Sequence, residues 1–215
     1  MSFVPTSTPT LSTSPTLLPS PTSTLEAQPA TVTPTPEPTQ AVTICREAVI
    51  NGDFERGIAD WVQDENPIPP RLTADRAYRG QLSLLLGLRP GDPDLVTDSS
   101  VRQLFYVPES ATSVMLSFWY WPATEDRDRL GEDRQQALLY VGGFNSLDLH
   151  TEILNNIADS RTWTRLTLNS LDIDSLRGEI VTLFFNVANN GNGDGRTWIY
   201  LDDVSFQICE PSPID

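Results

Sequence analysis

Apolar and polar residues alternate through "SVMLSFWYW" (113–121): Val114, Leu116, Phe118 and Tyr120 share one face, Met115, Ser117, Trp119 and Trp121 the other. A period of two marks a strand with one face in a core. The same reading of "IVTLFFNVAN" (180–189) turns Val181, Leu183, Phe185 and Val187 inward and leaves Thr182, Phe184 and Asn186 opposite. Further strand-like runs are "REAVI" (46–50), "QLSLLLGL" (81–88), "VRQLFYV" (101–107), "QALLYVG" (136–142), "TEILNN" (151–156), "TWTRLTLNS" (162–170) and "TWIYLDDVSFQI" (197–208). Between them lie breakers rich in Gly, Pro and Asp, such as "RPGDPD" and "NNGNGDGR", and only "LDIDSLRG" (171–178) suggests a helical turn. About nine short strands at this spacing predict an all-β jelly-roll sandwich.

The pattern begins only near residue 43. Of the first 42 residues, 26 are Pro, Thr or Ser. Such a stretch has too little apolar surface to offset its ordering entropy, which predicts a disordered linker over 1–42, a folded domain over 43–210 and a short tail over 211–215.

Charge narrows the partners. The net charge is −15, and all 14 basic residues are Arg. An acidic surface without Lys clusters argues against nucleic acid and anionic membranes. No run of 18 apolar residues is present, so membrane insertion is not expected, and "MSFVPTSTPT" shows no signal-peptide pattern.

Cys45 and Cys209 are the two cysteines, and they flank the folded region. Two free thiols are one reading. A disulfide stapling the first strand to the last fits the placement better, and it implies an oxidising compartment, outside the cell or on its surface.

Four motifs occur in order: "NGDFERGIADW" (51–61), "AYRGQLSLLLG" (77–87), "RTWTRLTLN" (161–169) and "IYLDDVSF" (199–206). Together they resemble the galactose-binding-like jelly rolls, especially the carbohydrate-binding modules of families four, nine and twenty-two. The resemblance implies a structural calcium ion held by Asp53 or Glu55, by Asp202, and by a backbone carbonyl near Arg79 or Gly80. Hard oxygen donors of this kind suit calcium. It also implies a glycan partner, for which Trp119, Trp121, Phe184 and Asn186 are the candidate contacts, since the C–H face of a sugar complements an aromatic ring.

An enzyme is the weaker reading. His150 is the sole histidine, and no HExxH, GxSxG or phosphate-binding glycine loop occurs. Acids such as Asp53, Asp126, Asp133 and Asp203 could act on a glycoside only if they flanked a cleft. The sequence therefore reads as a non-catalytic, extracellular glycan-binding module, the alternative being a structural or adhesive domain that contacts a surface protein.

Overall fold

The computed structural model describes residues 42–126, 133–142, 148–193 and 195–212. The linker expected over 1–42 lies outside them except for Val42, as do residues 213–215 of the tail and residues 127–132. The described residues form two antiparallel sheets. The six-stranded sheet holds β1 (Thr43–Glu47), β3 (Arg71–Thr73), β4 (Ser83–Gly87), β6 (Ser113–Thr124), β9 (Thr164–Leu168) and β11 (Thr197–Pro211). The five-stranded sheet is ordered β2 (Val62–Gln63), β5 (Val96–Tyr106), β10 (Ile180–Asn190), β7 (Arg134–Val141), β8 (Asp148–Asn156). One 3-10 turn, Ile173–Ser175, falls within the stretch expected to be helical.

The alternation assigned the core correctly. Val114, Leu116, Phe118 and Tyr120 of β6 meet Val181, Leu183, Phe185 and Val187 of β10 between the sheets. The very short β2 and β3 were not legible, because two or three residues cannot display a period.

β11 organises the larger sheet. Along one edge it pairs with β6. Its other edge serves β4 through Trp198–Leu201 and β1 through Gln207–Pro211. Between those two partners the register shifts from Asp202 to Ser205, and Asp203 takes a left-handed φ of 47°. A β-bulge of this kind re-aims side chains locally.

The loop after β1 fills the gap. Val204 donates its N–H to the Gly52 carbonyl at 2.9 Å, and Ala48 donates to Phe206. A Cβ at Gly52 would overlap the Val204 carbonyl oxygen, so the glycine of "NGD" is required by backbone contact. The loop is held from the other side by Gln103 of β5. Its Nε2 donates to Ile50 and Asp60 carbonyls, while Ile50 N–H donates to its Oε1 at 2.7 Å. Phe54 and Trp61, 5.4 Å apart, drop from this loop into the core.

Cys45 and Cys209 face each other across the β1–β11 pair and are joined as a disulfide, which closes a span of 164 residues. Loop closure of that length stabilises by about 5 kcal/mol in the chain-entropy model. Under non-reducing conditions the intact mass should be two hydrogens lighter than the reduced chain, with one Cys45–Cys209 linked peptide. Gly52→Ala should cost on the order of 3 kcal/mol, lowering Tm by roughly 6–12 °C for a domain of this size. An unchanged Tm would mean that the loop is not locked against β11.

Candidate functional site

The four candidate glycan contacts lie on two opposite outer faces. Trp119 and Trp121 are on β6 of the six-stranded sheet, whereas Phe184 and Asn186 are on β10 of the five-stranded sheet. The sandwich core separates them, so they cannot form one site.

On the six-stranded face, Trp121 is corrected from an exposed contact to a buried one. Its indole packs in a second small core with Leu85, Ala123, Trp198 and Tyr200. The Arg76 guanidinium lies over the ring, 4.0 Å from its centroid, and leaves 7% of the residue exposed. A cation on an aromatic face gains electrostatic attraction while its alkyl stem covers apolar surface. Trp119 is half-buried and stacks on Tyr78 at 3.8 Å with an interplanar angle of 16°.

The carboxylates assigned to calcium bind the 76–82 turn instead. Asp202 is fully buried, and its Oδ2 accepts N–H groups from Tyr78 (2.7 Å) and Arg79 (3.1 Å) while Oδ1 accepts from Asp203 (2.7 Å). Burial pushes its carboxyl up to about 6, against the pull of those three N–H groups. Glu55 Oε1 accepts from Gln81 and Leu82, both at 2.8 Å, and fills the space where a Cβ of Gly80 would sit. Asp53 stands apart, exposed, capping the N–H of Glu55 at 3.4 Å. A calcium shell needs six to eight oxygen donors around one point. Here amide hydrogens occupy carboxylate lone pairs, and among the described residues no three His, Cys, Asp or Glu groups converge as metal ligands. Asp53, Glu55, Gly80 and Asp202 in this arrangement do not fit the ion.

The five-stranded face is chemically banded; its candidate contact Asn186 is buried, as are Arg102 and Leu138, while Tyr106 and Ile180 are exposed. One band is a hydrogen-bonded row across four strands. Asn186 Nδ2 donates to Asp98 Oδ1 and to Gln136 Oε1, each at 3.0 Å. Gln136 donates to Asn155, and Asn155 to Glu152. At the β2 side, Arg102 and the Ser100 hydroxyl both hold Asp64, the ion pair closing to 2.5 Å. The other band is apolar: Phe184 meets Tyr140 edge-on at 6.1 Å, with Leu104, Tyr106 and Ile180 beyond. Tyr106 is 51% exposed. Sequence reasoning named Phe184 and Asn186 but missed Arg102, Tyr106, Gln136 and Tyr140. The alternation in "VRQLFYV", which sets Arg102, Leu104 and Tyr106 on one side, was the available signal.

No family model matches the sequence, and neither does any curated protein. Solved structures do match in fold. A family 61 carbohydrate-binding module in complex with β-1,4-galactotriose aligns at 14% identity over 75% of this chain and 97% of that one, with a TM-score of 0.51. A family 16 carbohydrate-binding module aligns at 13% identity over 74% and 98%, with a TM-score of 0.50. The enzymatically active domain of tailspike protein 4 from bacteriophage CBA120 aligns at 16% identity and a TM-score of 0.52, over 75% of this chain but 21% of the tailspike. The chain shares the two-sheet β-sandwich fold of these structures.

The donor geometry around Asp202 and Glu55 sets an expectation for the ion. Melting curves recorded with calcium and with a chelator should coincide. A rise in Tm with calcium would mean that the 76–82 turn reorganises around it, by mass action on the native state.

Proposed function

We propose that this domain is a non-catalytic carbohydrate-binding module that holds a glycan on the outer face of its five-stranded sheet. One observation carries the reading: the row Asp98–Asn186–Gln136–Asn155–Glu152 runs beside the apolar row of Phe184, Tyr140 and Tyr106 on a single face. Sugars present hydroxyls at the ring edge and C–H groups on the ring face, so a surface with both bands matches both parts of a pyranose. The row already hydrogen-bonds within itself, which fixes side-chain orientation before a ligand arrives. The carbohydrate-binding modules of the same fold support this reading, as does the galactotriose bound in one of them.

The disulfide supports an extracellular or cell-surface setting. Among the described residues no helix is long and apolar enough to cross a membrane. This reading does not call on structural calcium, since Asp202 and Glu55 already anchor the 76–82 turn through amide hydrogens.

The apolar end of the same face favours a second reading. Tyr106 and Ile180 are directly paired and 51% and 45% exposed, as a contact surface for another protein would be. Native affinity electrophoresis through neutral soluble polysaccharides, β-1,4-galactan among them, separates the two. The unmodified domain should be retarded by at least one polymer, and Phe184→Ala with Tyr140→Ala should lose that retardation with Tm reduced only slightly. Stacking losses of this kind cost about 1–3 kcal/mol, or roughly ten- to a hundredfold in affinity. Retardation by none of the polymers would leave the protein-contact reading in its place.

A further inference from the structure

We propose that the domain has a second ligand pocket, on the six-stranded sheet, that takes a neutral hexopyranoside of one or two rings. A groove of about 580 Å³ lies where the β11 bulge, the loop after β1 and the 76–82 turn meet. That volume falls within the range of small-ligand sites. Trp119 and Tyr78 line it, each half-buried and with one ring face spent on the other, so ligand contact falls to the faces and edges that remain.

The charged groups around the groove are loosely paired. Arg79 meets Asp203 at 3.4 Å, and Arg165 reaches the Ser117 hydroxyl at 3.5 Å. Tighter contacts occur elsewhere on the domain, as in Arg71–Asp92 at 2.7 Å and Arg161–Asp159 at 2.8 Å, and so do pairs as long, as in Arg196–Glu125 at 3.6 Å. Long pairs leave donors on the guanidinium groups and lone pairs on the carboxylate unspent.

Asp203 holds the centre of this arrangement. The bulge gives it φ 47°, a conformation that non-glycine residues adopt at a cost and that recurs at binding sites. Arg79 reaches its carboxylate, and Arg165 and Asp53 line the same groove. Asp203 lies across the break in step from the buried Asp202, so the second acid of "LDDV" is free of the anchoring work done by the first.

The lining excludes charged ligands of either sign. An anion drawn to Arg79 and Arg165 would meet Asp53 and Asp203, and a cation would meet the arginines. Hydroxyls donate and accept equally, so a neutral polyol satisfies guanidinium and carboxylate together. A pyranose adds the C–H surface that the aromatic pair requires.

The test is an amide and indole NMR titration of the whole chain with methyl β-D-galactopyranoside and methyl β-D-glucopyranoside. Methyl β-D-glucuronide serves as the charged control. The Trp119 indole resonance, assigned through Trp119→Phe, should shift saturably with at least one neutral glycoside and respond much less to the glucuronide. Arg165→Ala and Asp203→Asn should each weaken that response about tenfold, the loss of one charge-assisted hydrogen bond. Arg165 is exposed and Asn tolerates a left-handed φ, so both proteins should fold. Phe184→Ala separates the faces: loss of polysaccharide retardation with the Trp119 shift intact means two independent sites. A Trp119 resonance that stays fixed through the titration, or that moves equally in Arg165→Ala and Asp203→Asn, overturns the pocket. It would do so without touching the reading of the five-stranded sheet.

Discussion

Everything at the closing end of this domain depends on β11 breaking step between Asp202 and Ser205. A strand with two different partners on one edge, β4 and then β1, cannot keep one continuous ladder where they hand over. The unpaired backbone there has to be satisfied by other groups. Gly52 accepts from Val204, Glu47 accepts from Phe206 N–H and from the Ser205 hydroxyl, and Asp202 turns its carboxylate to the amides of residues 78 and 79. The partners come from two distant parts of the chain, residues 47–52 and residues 78–79. One irregularity therefore ties the loop after β1, the 76–82 turn and the last strand into a unit, and it is the same irregularity that aims Asp203 into the groove.

The two outer faces show how identical residue types acquire different roles. Trp121, Trp198 and Tyr200 lie on the outside of a sheet yet are buried, because the 74–82 turn and the segment before β9 fold across them and bring Arg76 and Arg161 onto the rings. No such cover lies over Tyr106, 51% exposed on the five-stranded sheet. Aromatic content by itself thus carries little information about binding. What matters is whether a neighbouring segment spends the ring's face on packing, and that segment can be far away in sequence.

This distinction explains what was legible in the sequence. Strand identity and facing came through wherever the period of two ran for five residues or more, as in β6 and β10, since burial on one face enforces it. The end placement of Cys45 and Cys209 gave their pairing. The motifs gave the fold, and two of their acids hold a turn through its amides. Glu55 and Asp202 do sit side by side against the 76–82 turn, yet they face amide hydrogens. A sequence shows which carboxylates a fold gathers. It does not show whether the backbone presents N–H or C=O to them, and that choice decides between an anion anchored by amides and a cation site. The bulge was illegible for the same reason: it arises from β11 having two partners, a fact of topology.

The chain's charge pattern follows from this use of backbone. At −15 with no Lys, the chain has few cations to neutralise its acids. The fully buried carboxylate of Asp202 is held by three N–H groups, and Glu55 by two. Arginine is thereby released for work that amides cannot do. Arg76 covers an indole, Arg102 fixes Asp64 at the edge of the polar row, and Arg79 and Arg165 stand beside the groove. An amide nest suits a permanent anchor, since it is fixed in direction and carries no side-chain entropy. A guanidinium suits a surface that must meet hydroxyls, since its planar fork offers five donors from a long stem. The division between the two explains how so acidic a domain can close its sandwich from within and still present cationic groups on the faces where ligands would arrive.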